Sequence, residues 1–269
     1  MDSRPLGVFD SGVGGLTVVR EIMRRLPRES IIYFGDTARV PYGTKSADTI
    51  RRYSAQIADF LLSKKVKAIV VACNTASALA LKTLRARYKL PIIGVIEPAC
   101  LRAVSVSREG RIGVIGTEAT VISGAYPAAI KKISARAAVT ARACPLLVPL
   151  AEEGRLSGNI TQEVLKDYFK GMRGGRLDTL ILGCTHYPLL APAIKKVVGK
   201  NVTIVDSASA VVAELDKILS SGGLAAAAVR KHLSHRFYVS DSPERFAKMG
   251  KRFLRARFNA SVTKVNLSQ

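Results

Sequence analysis

Lys67-Ala-Ile-Val-Val-Ala-Cys-Asn-Thr75 decides the fold. Its apolar core has no period-2 alternation, so both faces of the strand it forms are buried, as in a parallel sheet covered by helices. Helical spacing flanks it on both sides. Upstream, Ser46 is placed to cap a helix whose Ile50, Tyr53, Ile57 and Leu61 share one face; downstream, residues 75–88 read as one helix. Further strands are expected at Gly7-Val-Phe9, Ser30-Ile-Ile-Tyr-Phe34 and Leu90-Pro-Ile-Ile-Gly-Val-Ile96, with a helix over residues 16–26. Strands alternating with helices predict an α/β doubly wound layer structure.

The order then repeats. Gly7-Val-Phe-Asp-Ser-Gly-Val-Gly-Gly15 returns loosely as Gly113-Val-Ile-Gly-Thr-Glu-Ala-Thr120, an offset of 106. Val40-Pro-Tyr-Gly43 matches Val148-Pro-Leu-Ala-Glu-Glu-Gly154 at 108, and Ile69-Val-Val-Ala-Cys-Asn-Thr75 matches Leu180-Ile-Leu-Gly-Cys-Thr-His186 at 111. Pro91-Ile-Ile-Gly-Val-Ile-Glu97 matches Asn201-Val-Thr-Ile-Val-Asp206 at 109, taken at the acidic residue. Four matches in one order predict two similar parallel-sheet domains related by pseudo-symmetry, with a site in the crevice between them. The first domain is expected over 1–97 plus 207–269, the tail packing back on it, and the second over 98–206. That tail reads as a helix from Ser209, a Gly222-Gly223 break, a strand at Arg236-Phe-Tyr-Val-Ser240 and a basic helix from Pro243.

A chain of 269 residues, 48% apolar and 23% charged, buries a large core and is not disordered. Its apolar runs fall far short of the roughly 20 residues that span a bilayer. Met1-Asp-Ser-Arg-Pro-Leu6 leads into a strand with no apolar signal region, so no secretory route and no membrane is expected. Four cysteines without a CxxC pair make neither a disulfide framework nor a zinc knuckle; a cytoplasmic protein is expected. The net charge of +22 draws polyanions. Its Lys and Arg are nevertheless strung along the whole chain; only 230–257 is dense, with nine basic residues against Asp241 and Glu244. With eight Tyr, eight Phe and no Trp, no basic-aromatic interleaving stacks bases, so nucleic acid is expected only as a secondary, charge-driven contact.

Doubly wound sheets bind ligands at the carboxyl ends of their strands. Four polar loops stand there: Asp10-Ser11, Asp36 to Gly43, Cys73-Asn74-Thr75 and Cys184-Thr185-His186. Cys73 and Cys184 each follow a buried strand and precede a helix, whose N-terminus is expected to lower the thiol pKa. Matched placement in matched halves marks these two as functional, while Cys100 and Cys144 read as structural. Gly12-Val-Gly14 begins a G-x-G-x-x-G, but Thr17 holds the third glycine position and no Walker A exists. The loop reads instead as a carboxylate or ammonium site with Asp10 inside it. Cys73, Cys184 and His186 are three soft donors, yet nothing else has zinc-site spacing, so no metal is expected. His186, two residues from Cys184, suits an acid/base role. Glu152 and Glu153 are equivalent at this level.

Taken together, the segments 7–15, 35–43, 72–77, 148–154 and 183–190 resemble the cofactor-independent aspartate/glutamate racemase family. The resemblance implies interconversion of L- and D-glutamate, supplying D-glutamate for peptidoglycan, by two bases and without pyridoxal phosphate, metal or nucleotide. It favours glutamate over aspartate through Pro41-Tyr-Gly43 and Cys184-Thr-His186. Cys73 would act on D-glutamate, assisted by Asp10, and Cys184 on L-glutamate, assisted by His186. Ser11, Tyr42, Gly43, Asn74, Thr75, Thr185 and His186 would hold the substrate, with Asp10 beside them; Asp36 and Glu152 would orient or tune the site. A homodimer is also implied.

Overall fold

The computed structural model describes residues 2–172, 177–226, 234–255 and 260–267. Four parallel strands open the chain: β1 (Leu6–Asp10), β2 (Ile31–Gly35), β3 (Ala68–Val71) and β4 (Ile92–Gly94). A second set follows: β5 (Arg111–Gly116), β6 (Ala138–Ala143), β7 (Thr179–Gly183) and β8 (Thr203–Asp206). The tail adds β9 (Arg236–Val239) and β10 (Val262–Lys264). One sheet runs β10-β9-β2-β1-β3-β4, the other β6-β5-β7-β8, and every pairing is parallel. The inner order 2-1-3-4 is thus repeated as 6-5-7-8, as the internal repeat requires. Register corrects one match. Val71 pairs with Gly94 as Leu182 pairs with Asp206, so the counterpart of Asp206 is Gly94 and not Glu97.

The helices form where amphipathic spacing and caps agree. Helix α1 (Leu16–Arg25) buries Leu16, Val19 and Ile22; α2 (Ala47–Ser63) starts at Ser46, whose Oγ accepts from the Thr49 N–H, a cap worth about 1 kcal/mol. The single helix expected over 75–88 is two, α3 (Asn74–Leu79) and α4 (Leu81–Arg87). The bend at Ala80 lays Leu81 on Gly94, where a Cβ would come within 2.6 Å of that side chain. Between the sheets, α5 (Ile96–Val106) and α11 (Ser207–Ser221) pack on each other, and α11 also packs on α1. They share one apolar cluster with residues of both sheets, including Val8, Ile112 and Ile181. The second half is completed by α6 (Glu118–Ile122), α7 (Ala125–Ile133), α8 (Leu147–Glu152), α9 (Asn159–Phe169) and α10 (Ala191–Val198). Helix α12 (Pro243–Leu254) lies on α1, with Phe246 5.7 Å from the ring of Tyr33. Buried Lys67 pairs with Glu29 at 2.6 Å and donates to the carbonyls of Asp2 and Leu224, fastening β3 to the segment after α11.

Candidate active site

The residues just beyond β1, β3, β5 and β7 surround one cavity of about 220 Å³. Cys73 and Cys184 line it from opposite halves and are 5% and 6% exposed. Ser11, Tyr42, Gly43, Asn74, Thr75, Thr185, His186 and Glu152 line it too. Asp10 and Asp36 do not: both are fully buried behind the walls. Glu153 points to solvent, which separates the two adjacent glutamates. Cys100 and Cys144 are buried elsewhere, in apolar clusters.

The first wall is built on the loop after β1. Asp10 accepts from the Gly12 N–H at 3.0 Å and the Thr185 hydroxyl at 3.4 Å, and burial raises its pKa above the usual carboxylate range. Cys73 is the N-cap residue of α3, yet its thiol is pushed up to about 12, first by burial and then by the Asp10 carboxylate. The expected lowering by a helix N-terminus is therefore corrected at this residue. The Ala76 N–H and the Ser11 hydroxyl act in the expected direction and are outweighed. This wall favours a protonated thiol.

The second wall carries a different partner. His186 Nδ1 is 3.8 Å from Cys184 Sγ, and its Nε2 is 3.0 Å from Glu152 Oε1. Burial alone would push the imidazole down; the hydrogen bonds it donates to Cys184 and Glu152 override it and raise His186 to about 10. Burial likewise opposes ionisation of Glu152, but His186 and then the charge of Arg245 hold it below the usual range. An imidazolium so held can share its Nδ1 proton with the sulfur.

Close packing fixes the two walls against each other. A Cβ on Gly14 would stand 2.2 Å from Thr185 Oγ1 and 2.6 Å from the His186 ring, so only glycine lets this loop approach. Thr17 donates to the Thr185 carbonyl at 3.1 Å. Thr75 and Thr117, one from each half, share a hydroxyl hydrogen bond at 2.9 Å, and Thr120 joins them. Asn74 accepts from Tyr126 at 2.7 Å and leaves Nδ2 buried without a partner, a donor at the cavity wall. Asp36 fixes Tyr42, whose hydroxyl donates to it, and also takes Arg39 and Ser240.

Sequence reasoning missed Thr117 and Glu118, which line the cavity after β5. The signal was present: Thr117 is the repeat counterpart of Ser11. It also missed Phe253 of α12, edge-on to His186 with centroids 5.2 Å apart. Of the dense basic segment, Arg230, Lys231 and Arg257 lie outside the described residues. Among the described residues no group of three or more His, Cys, Asp or Glu could hold a metal, and no helix is long and apolar enough to cross a membrane.

Comparison with known proteins supplies a family. A model of the Asp/Glu/hydantoin racemase family matches residues 7–215. A glutamate racemase of Geobacter metallireducens is 50% identical over 254 residues, covering 94% of each chain. Among solved structures, a glutamate racemase isoform of Bacillus anthracis superposes with a TM-score of 0.93 at 39% identity, covering 99% of both chains. The glutamate racemase of Francisella tularensis, solved with D-glutamate, gives 0.91 at 40% identity, covering 100% of this chain and 99% of that one.

Proposed function

Because the chain belongs to the Asp/Glu/hydantoin racemase family, we propose that it is a glutamate racemase in which Cys73 and Cys184 exchange the α-proton from opposite faces. The observation that carries the mechanism is the pair of thiols lining one cavity from two like-folded halves. Inverting a stereocentre through a carbanion needs a base on one face and an acid on the other, with roles that swap in reverse. Cys73 removes the proton from D-glutamate and Cys184 removes it from L-glutamate. Asp10 serves the first sulfur. His186, tied to Glu152, serves the second.

Substrate charge supports the same reading. An α-ammonium brought beside Cys73 and Asp10 favours the ionised forms that burial opposes. The unpartnered Asn74 Nδ2, the Thr75–Thr117 hydroxyls and Thr185 are donors for carboxylates, and aimed at the α-carboxylate they stabilise charge as it builds there. Ser11, Tyr42 and Gly43 complete the substrate wall, while Asp36 acts on it through Tyr42. Approach of domain 98–206 to domain 1–97 with 207–269 closes the cavity to water. The product, D-glutamate, feeds peptidoglycan; the enzyme works without a cofactor, as a homodimer in the cytoplasm. Any contact with nucleic acid follows net charge and is lost at physiological salt.

Circular dichroism of glutamate and aspartate incubated in parallel with the protein tests the proposal. Decay of the glutamate signal from either enantiomer to zero supports it; turnover of aspartate alone contradicts it.

A further inference from the structure

The tail helix α12 belongs to the first half by packing, yet its last turn reaches the second. Arg252 Nη1 donates to the Ala151 carbonyl at 3.4 Å and also to the carbonyl of Glu152. These are the final carbonyls of α8: that of Ala151 also accepts from the Gly154 N–H at 3.2 Å, and that of Glu152 is met by the guanidinium. The chain then turns at Gly154 with φ +76°, and a Cβ there would meet the Arg252 guanidinium at 2.7 Å. Next to Arg252, Phe253 is fully buried and sets its ring at 83° to that of His186. The Phe253 carbonyl accepts from Arg20 of α1 at 3.3 Å, anchoring the turn to the first half. Two consecutive residues of the tail thus hold, separately, the backbone of Glu152 and the ring of His186.

We infer that Arg252 and Phe253 are positioning residues for the His186–Glu152 pair, so that the basic tail helix tunes the Cys184 wall of the site. This rests on the reading that His186 serves Cys184. The residues in question lie beyond 215, where the match to the family model ends. The guanidinium fixes where Glu152 starts, and the phenyl ring fixes the plane of the imidazole. Both are needed for the 3.0 Å contact between them. The titratable groups facing His186 are Cys184 in its own loop, Glu152 on α8 and Asp10 at the end of β1; the cations Arg245 and Arg252 of α12 face Glu152.

The test follows the His186 ring by NMR in protein labelled at histidine. The chain has three histidines, and His186→Asn identifies the signal. In Arg252→Gln and in Phe253→Leu the His186 titration should move down by about one pH unit as the Glu152 contact loosens. In the same variants kcat should fall about 10-fold or more, with KM changed far less. Phe253→Tyr, which keeps the ring, should restore both. The sign is decisive for Arg252, because simply deleting a nearby positive charge would move an imidazole up. An upward or absent shift in Arg252→Gln overturns the inference, whatever happens to thermal stability. Arg252 is exposed, so its variant keeps the test alive if Phe253→Leu does not fold. The titration is read without turnover: a wild type that fails to racemise glutamate defeats the proposed function while leaving this measurement meaningful.

Discussion

The two walls of the cavity are copies in backbone and unlike in chemistry. Phe9 pairs with Val71 as Ile115 pairs with Leu182, so Cys73 and Cys184 occupy equivalent ends of equivalent strands. Ser11 and Thr117 correspond in the same way. The partners of the thiols do not. Asp10 corresponds to Gly116, and His186 corresponds to Thr75. One wall therefore sets a buried carboxylate behind its sulfur, the other an imidazole beside it. Repetition sets two thiols at one cavity, the geometry that the proposed inversion needs. Proton affinity is set by different partners on each side, so the proposed reaction would run across a cavity whose resting walls differ.

Replacing either thiol should break the comparison outright. Cys73→Ser and Cys184→Ser should each lower racemisation by about 10³-fold or more in both directions, since every turnover uses both groups. Initial rates from each enantiomer, followed by circular dichroism, check this. The partners come next. Asp10→Asn and His186→Asn should each cost about 10²-fold. Because the enantiomers have equal free energy, kcat/KM must fall equally in both directions for each variant. The difference between the walls should emerge instead in solvent exchange of the α-proton. Asp10→Asn slows exchange out of D-glutamate most, and His186→Asn slows exchange out of L-glutamate most, as deuterium incorporation would show.

Stability should also report the second wall. The folded state raises His186 from an ordinary 6.5 to about 10, so it favours the protonated imidazole. That contribution is complete below about pH 6.5 and is lost as pH rises through 10. Thermal unfolding of the wild type should show a decline across this window that His186→Asn flattens; parallel curves would mean the imidazole carries no such coupling. The smallest effect belongs to the other cysteines. Cys100→Ala and Cys144→Ala should leave kcat within about twofold, costing on the order of 1 kcal/mol of stability for the lost buried contact. A large loss of activity in either would give that sulfur a role the geometry does not.

Most of this arrangement was legible in the sequence, and the gaps have physical causes. Strands β1, β2, β3 and β7 are buried on both faces and read as apolar runs. Strands β6 and β10 went unread because neither carries a buried apolar run: Ala138–Ala143 is half exposed and alanine-rich, and Val262–Lys264 has two exposed residues. The lining residues followed from the rule that loops after parallel strands meet at the site. Asp10 and Asp36 obey the same rule in sequence but turn inward, and residue type alone does not give side-chain direction. The rise of Cys73 to about 12 was invisible for the same reason, since burial is a property of the closed fold and not of the Cys-Asn-Thr triplet. Phe253 left no signal, and Arg252 showed only as one of the nine basic residues of 230–257. They reach His186 and Glu152 across long separations in sequence, and they lie in a tail without a repeat partner.

The most direct measurement separates the two thiols by face. A glutamate analogue with a leaving group, such as β-chloroglutamate, loses its α-proton and then chloride, so one base suffices and no proton need be returned. Elimination is followed as chloride release from each enantiomer. Cys184→Ser should eliminate from the D form through Cys73 and fail with the L form; Cys73→Ser should eliminate from the L form through Cys184 and fail with the D form. If both variants eliminate from both enantiomers at similar rates, the thiols are not the face-specific bases, and Asp10, His186 or Glu152 must take the proton instead.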